Sequence, residues 1–206
     1  KNIRLNHSIN TQPLFSALIL SSGLSVRMGQ PKALLKWDDT RTFIEKIAGE
    51  FIEAGCTQVI CTVNRFIHPG CRKFNLPSNV KFILNEHPEW SRLFSISLGL
   101  KELRENSYCF IHNVDNPFIH AGIIKNLLES ADPGSWISPE FEGKGGHPVL
   151  LPPGIIEKVL EGNLKDASLQ DILSLFPKIA VKMQDDSVLR NINTPEEYLK
   201  LIDRNT

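Results

Sequence analysis

Short apolar segments alternate along the chain with longer segments whose apolar residues recur every three or four positions. A short, unbroken apolar run predicts a strand that is covered on both faces. Apolar residues that recur every three or four positions predict an amphipathic helix. The predicted strands are 14–21, 57–63, 80–85, 108–114, 135–139, 147–152 and 178–183. The predicted helices are 42–55, 91–106, 120–131, 166–176 and 194–204.

Two predicted helices also carry boundary signals. Thr42 and Glu45 have the spacing of a capping box, in which each side chain bonds the backbone of the other residue, and Gly55 is a stop signal. Thr194 is the corresponding N-cap of the last helix. Helix boundaries are therefore expected close to these residues.

Strands that alternate with helices predict an α/β protein with a mostly parallel sheet. We expect a Rossmann-like, three-layer αβα architecture, with residues 1–13 as an N-terminal extension and 14–206 as a single domain. Sheets of this kind bind ligands beyond the carboxyl ends of their strands. Functional residues are therefore expected just after each strand.

Composition narrows the choice of partners. Lys and Arg together number 23, as do Asp and Glu, so the basic excess of a general nucleic-acid binder is missing. No apolar run approaches the roughly 18 residues of a membrane span. The four cysteines lack a CxxC spacing, which favours buried thiols in a cytoplasmic protein over a disulfide or zinc site.

The segment "SSGLSVRMGQPKALL", residues 21–35, follows the first predicted strand. Its spacing fits neither a P-loop nor G-x-G-x-x-G, which argues against a nicotinamide dehydrogenase. Gly23 and Gly29 still allow backbone N–H groups to approach an anion, and Arg27 and Lys32 add cationic donors. Phosphate binding is the functional reading, and a solvated surface loop is the alternative.

Asp115 follows the strand predicted at 108–114, so it faces the same edge of the sheet. Mg²⁺ bound to nucleotide phosphates commonly takes one or two carboxylates. Asp115 is therefore a candidate metal ligand, and a helix-capping aspartate before Pro117 is the alternative. Asn191 and Asn193 would share one face of a strand and bind metal or a polar ligand, unless they only serve turn and cap chemistry.

The loop at 21–35 resembles the signature of nucleotidyltransferases with the MobA-like fold, the molybdenum-cofactor guanylyl- and cytidylyltransferases. The segments Asp115-Asn116-Pro117, "NINTP" at 191–195 and "GHPV" at 146–149 are similar to further motifs of that family, in the same order. The resemblance implies a nucleotide-diphospho-sugar transferase-like fold. It also implies transfer of a nucleoside monophosphate from CTP or GTP to a phosphorylated acceptor, most naturally molybdopterin, with release of pyrophosphate.

The resemblance assigns roles residue by residue. It implies catalytic roles for Arg27, Lys32 and Asp115, and Mg²⁺ ligation by Asp115 and Asn193. Acceptor contacts are implied for His147 and Asn191, although a structural histidine is the alternative at 147. Nucleotide binding is implied for Ser21, Ser22, Gly23, Ser25, Arg27, Met28, Gly29, Lys32, Asn85 and Ser95.

The implied substrates stay open at two points. "NINTP" is similar to the guanylyl branch, whereas "GHPV" is similar to the cytidylyl branch, and Ser21-Ser22 replaces the usual Ala-Ala or Ala-Gly at a position linked to the choice of base. A same-fold transferase for a sugar phosphate or phospho-alcohol and a non-catalytic nucleotide-binding module are the rival hypotheses. Handover of the product to a molybdoenzyme or its chaperone is the implied partner step.

Overall fold

The computed structural model of the chain describes residues 13–74, 76–104, 106–162 and 168–205. The predicted extension 1–13 lies outside the described residues except for Pro13, as does the beginning of the helix predicted at 166–176.

The described chain alternates between strands and helices, as the apolar pattern predicts. The strands are β1 Phe15–Ser21, β2 Gln58–Val63, β3 Val80–Leu84, β4 Tyr108–Asn113, β5 Trp136–Phe141, β6 Lys144–Gly145, β7 Val149–Leu151 and β8 Lys178–Lys182. The helices are α1 Phe43–Glu53, α2 Arg92–Leu100, α3 Ala121–Glu129, α4 Pro153–Glu161, α5 Leu169–Leu173 and α6 Pro195–Asn205. Three 3₁₀ turns join them, at Lys32–Leu34, His68–Lys73 and Asp186–Val188.

All the strands belong to one sheet with the order β3-β2-β1-β4-β7-β5-β6, and β8 pairs with β5. The β3-β2-β1-β4 half is parallel, whereas β7 runs antiparallel to both β4 and β5. The carboxyl ends of β1, β2, β3 and β4 therefore meet at one edge. This sheet confirms the predicted mostly parallel α/β fold.

Helices cover both faces of the sheet, which gives the expected three layers. Ala17 and Ile19 of β1 pack into one buried cluster with α1 and α3, while Leu18 packs into a second cluster with α2 and α4. Side chains alternate across a strand, so an unbroken apolar sequence such as β1 supplies both cores. Among the described residues, no helix has the length and apolar character needed to cross a membrane.

Local signals account for what the pattern predicted correctly and what it missed. The capping box of Thr42 and Glu45 is present at the start of α1, as predicted. Helix α2 ends at Leu100, well short of the predicted residue 106. Helix α4 was missed because its first residues, Pro153 and Gly154, are usual turn residues, although proline is well tolerated in the first turn.

The four cysteines, Cys56, Cys61, Cys71 and Cys109, are free and buried, as predicted. Burial raises the pKa of the Cys56 thiol to about 12 and that of the Cys71 thiol to about 11. These thiols are protonated at neutral pH, so they serve as packing groups.

Candidate active site

The basic loop leaves β1 at Ser21 and folds into a compact turn before the 3₁₀ turn at Lys32–Leu34. Ser25 (φ 53°) and Gly29 (φ 72°) have positive φ, and the backbone N–H of Gly29 donates to Ser25 O at 3.1 Å. Glycine adopts this conformation without strain. Buried Met28 fixes the middle of the turn in the core, so the loop has a defined shape.

Buried polar side chains hold the first part of the loop. The amide of Asn64 donates to the carbonyl oxygens of Ser22 (3.1 Å) and Gly23 (3.2 Å). The hydroxyls of Ser22 and Ser95 lie 3.0 Å apart, and Asn85 Nδ2 donates to Ser95 Oγ at 2.9 Å. Ser22 at the first strand end is thereby connected to the first turn of α2.

Lys32 brings the loop, Asp115 and Asn193 together. Its Nζ lies 3.3 Å from Asp115 Oδ2 and donates to Asn193 Oδ1 at 2.7 Å. The backbone N–H of Ile192 donates to Asp115 O at 2.7 Å, and the N–H of Asn193 donates to Glu197 Oε2 at 2.6 Å. The first bond ties the segment before α6 to the end of β4, although more than 70 residues separate the two in sequence, and the second ties the segment to the first turn of α6.

The oxygen atoms of Asp115 and Asn193 fit a divalent cation. Asp115 Oδ1 is buried without a hydrogen-bond partner among the described residues. Carboxylate and amide oxygens are the hard donors that Mg²⁺ prefers, and phosphate oxygens and water usually complete its shell. The described residues contain no cluster of three or more His, Cys, Asp or Glu that would hold a metal without such help.

Most of the predicted residues surround one open cavity of about 470 Å³, which we call the loop cavity. The predicted residues that line it are Ser21, Ser22, Gly23, Ser25, Arg27, Met28, Lys32, Ser95, Asp115 and Asn193. Gly29 and Asn85 are not among its lining residues. Gly29 shapes the turn, and Asn85 is buried and supports Ser95 from behind.

The pairing of Asn191 with Asn193 on one face of a strand was wrong. Residues 191–193 are not in a strand, so the two side chains do not share a face by alternation. Asn193 reaches the loop cavity, while Asn191 is exposed and does not line it.

His147 lies beside the loop cavity and lines a second cavity of about 300 Å³, which we call the side cavity. The pKa of His147 is lowered to about 4, mainly by burial and also by the charge of Arg92, while Asp115 and the backbone of Ile111 oppose the shift. The imidazole is therefore neutral at pH 7. It offers one donor and one acceptor, and no charge.

The sequence prediction missed Arg92, Asn113 and Trp90, which also line the loop cavity. Arg92 Nη2 donates to Asn113 Oδ1 at 2.8 Å. Asn113 is the last residue of β4, so a stricter search of strand ends would have found it. Trp90 is 53% exposed and stacks on His87 with ring centroids 4.1 Å apart, which places an aromatic surface at the rim.

The protein is an α/β protein whose polar, cation-lined cavity lies at the carboxyl ends of its parallel strands, where sheets of this class bind ligands. Residues 17–184 match the family model of the MobA-like NTP transferase domain, and the chain belongs to that family.

Characterised relatives span the chain at low identity. The molybdenum cofactor cytidylyltransferase of Escherichia coli is 22% identical over 92% of this chain and 96% of its own length. Nicotine blue oxidoreductase of Paenarthrobacter nicotinovorans is 24% identical over 92% of this chain and 97% of its own. The molybdenum cofactor guanylyltransferase of Xanthomonas euvesicatoria is 24% identical over 93% and 96%.

Solved structures show the same fold. The homologue of Mycobacterium tuberculosis Rv0371c from Mycobacterium sp. strain JC1 has a TM-score of 0.76 at 19% identity, covering 92% of this chain and 96% of its own. The Rv0371c complex with manganese has a TM-score of 0.70 at 16% identity, covering 94% and 100%. The 4-diphosphocytidyl-2C-methyl-D-erythritol synthase of Anaerococcus prevotii has a TM-score of 0.74 at 13% identity, covering 95% and 99%.

Proposed function

We propose that the protein transfers a nucleoside monophosphate from CTP or GTP to the phosphate of molybdopterin and releases pyrophosphate. The observation that carries the proposal is the meeting of Lys32, Asp115 and Asn193 beside the glycine-containing loop in one open cavity. Relatives named as molybdenum cofactor cytidylyltransferase and guanylyltransferase support this acceptor. The proposed setting is the cytoplasm, which suits four free thiols.

The reaction requires alignment and charge neutralisation more than a strong base. A phosphate monoester has a second pKa of about 6, so the acceptor phosphate is largely dianionic at pH 7 and is itself the nucleophile. Arg27 and Lys32 neutralise the triphosphate and the leaving pyrophosphate, and backbone N–H groups near Gly23 hold the phosphates in place. Neutral His147 has no proton-transfer role in this proposal.

Asp115 and Asn193 would hold the divalent cation, for which we propose Mg²⁺. A cation at this position neutralises phosphate charge when it is bound. Lys32 donates to the same two side chains, so it holds their oxygen atoms facing the loop cavity.

A transferase for a sugar phosphate or phospho-alcohol is the second candidate. Its specific support is the structural similarity to an erythritol-based cytidyl synthase over 95% of this chain. The fold and loop are shared between such enzymes, whereas the acceptor pocket is not. The acceptor is therefore the feature to be tested.

The test measures pyrophosphate release with each of CTP, GTP, ATP and UTP, combined with molybdopterin or with methylerythritol phosphate. The proposal predicts release with molybdopterin and with one of CTP and GTP above the others. Nucleotide binding without release from any pair would identify a binding module. Redox turnover without pyrophosphate would instead group the chain with the relative named as an oxidoreductase.

A further inference from the structure

Arg92 lies at the junction of the two cavities and lines both of them. Arg92 is the first residue of α2, directly after the N-cap Ser91, and it is exposed to solvent. A ligand that fills the side cavity would therefore meet the loop cavity at the Arg92 guanidinium.

The guanidinium is oriented and has donors to spare. Its Nη2 donates to Asn113 Oδ1 at 2.8 Å. Arg92 is not in an ion pair with any carboxylate of the described residues. A guanidinium carries five N–H donors in a planar fork that suits phosphate oxygens. Arg92 is thus a fixed cation without a carboxylate partner.

The wall of the side cavity is largely apolar, and its largest ring is held in place. Trp136 and Leu173 form part of it, and the indole Nε1 donates to Leu173 O at 3.1 Å, which fixes the ring. Val149 of β7 is buried beside them. Such a wall favours a flat or apolar molecular body.

The polar lining of the side cavity is neutral apart from Arg92. His147 and Gln170 offer hydrogen bonds, and His147 is uncharged at pH 7. The Ser168 hydroxyl instead caps α5 through Asp171. Arg92 is the one ionised side chain among the lining residues that the structure describes. The lining therefore matches a molecule that has one anionic end and a neutral body.

We propose that Arg92 binds the phosphate monoester of the acceptor and that the side cavity holds the acceptor's neutral, partly apolar body. This inference rests on the proposed function and assigns its acceptor site. An oxygen of the acceptor phosphate forms a bond to the α-phosphorus of the nucleotide. The bond from that phosphorus to the oxygen bridging to the β-phosphorus breaks, and pyrophosphate leaves with the electron pair. Arg92 hydrogen-bonds the other acceptor oxygens and transfers no proton.

Steady-state kinetics on the full chain test this assignment, with molybdopterin and the nucleotide that the wild type prefers. Arg92→Gln is expected to raise the KM for molybdopterin about 10- to 100-fold, since hydrogen bonds to a charged group are lost. The KM for the nucleotide should stay within about twofold. Arg92→Lys should recover part of the loss, because it retains the charge without the fork.

Two further variants complete the test. Gln170→Trp changes an exposed residue and fills the side cavity without altering the core, so it should raise the molybdopterin KM alone. Arg104→Gln removes an exposed arginine that lines neither cavity, and it should behave like the wild type.

The outcomes separate this inference from the proposed function. If the wild type transfers the nucleotide but Arg92→Gln leaves the molybdopterin KM unchanged, the acceptor site is wrong and the function stands. A rise in the nucleotide KM instead would place Arg92 on the triphosphate and also overturn the assignment. No transfer by the wild type would overturn both.

Discussion

Lys32 is the residue on which the proposed site depends most. It contacts a carboxylate and an amide from two distant segments, and its side chain is only 13% exposed. In the proposed reaction, a cation held in this way would neutralise phosphate charge in a partly desolvated site, where electrostatic stabilisation is strong.

Lys32→Ala is expected to lower kcat/KM for nucleotide transfer by about 10²- to 10³-fold, the usual cost of losing one such donor. Pyrophosphate release measures the effect. The matched control is Lys36→Ala, four residues later, whose exposed side chain does not line the loop cavity. Lys36→Ala should retain activity within about twofold. Near-normal turnover of Lys32→Ala would show that Lys32 has no catalytic role.

His112 should make the stability of the protein depend on pH. Its Nε2 donates to Asn116 O at 2.8 Å, so Nδ1 is unprotonated, and it is buried without a partner among the described residues. Burial lowers the pKa of His112 from 6.5 to about 3. Below pH 6.5 the unfolded chain binds a proton that the folded chain does not, so stability falls as the pH falls toward 3.

The His112 contribution to the loss of unfolding free energy between pH 7.5 and pH 5 is expected to be about 2 kcal/mol. His112→Gln retains a donor for Asn116 O but cannot titrate. Its unfolding free energy should therefore fall by about 2 kcal/mol less than that of the wild type over the same pH interval. Urea denaturation at both pH values measures the two differences. Equal differences would show that His112 does not cause the pH dependence.

At the scale of elements, the join between β6 and β7 allows little space. A Cβ added at Gly146 would lie 2.4 Å from the carbonyl oxygen of Val188, in the 3₁₀ turn Asp186–Val188. The adjacent His147 lines the side cavity. The close approach of two backbones therefore positions one wall of that cavity.

Gly146→Ala is expected to destabilise the fold by about 1–3 kcal/mol, because backbone atoms have to move apart. Gly154→Ala is the matched control, since nothing lies within 4 Å of its added Cβ and it sits in α4. That control should be neutral or stabilising by up to about 1 kcal/mol. Thermal unfolding of both variants gives the comparison, and equal Tm values would contradict the packing argument.

At the scale of the whole molecule, nucleotide binding should stabilise the fold. A ligand at 100 times its Kd adds about 2.7 kcal/mol, which corresponds to a Tm rise of roughly 5–11 °C for a domain of this size. Thermal shifts with equal concentrations of CTP, GTP, ATP and UTP in Mg²⁺ should rank the four bases. Asp115→Ala should reduce the part of the shift that depends on Mg²⁺. Four equal shifts would mean that the protein does not select a base.

The sequence by itself determined the order of most strands and helices, since unbroken apolar runs and capping residues act locally. It also predicted that Arg27, Lys32 and Asp115 belong to one site, because they follow predicted strands or lie in the loop after one, and all three line the loop cavity. The sequence pattern did not predict helix α4, because its first residues are also typical of turns. The local pattern contains no information on how this segment packs against the rest of the chain.

Only the tertiary structure decided which distant residues share a cavity. Asn193 accepts a hydrogen bond from Lys32 because one backbone bond, from Ile192 to Asp115, joins segments far apart in sequence, while Asn191 does not line the loop cavity. Arg92 lies between the two cavities because α2 packs against the sheet, and the spacing of apolar residues along α2 does not predict that packing. The apolar pattern fixes which residues are buried, but the meeting of polar side chains depends on long-range packing that it does not record.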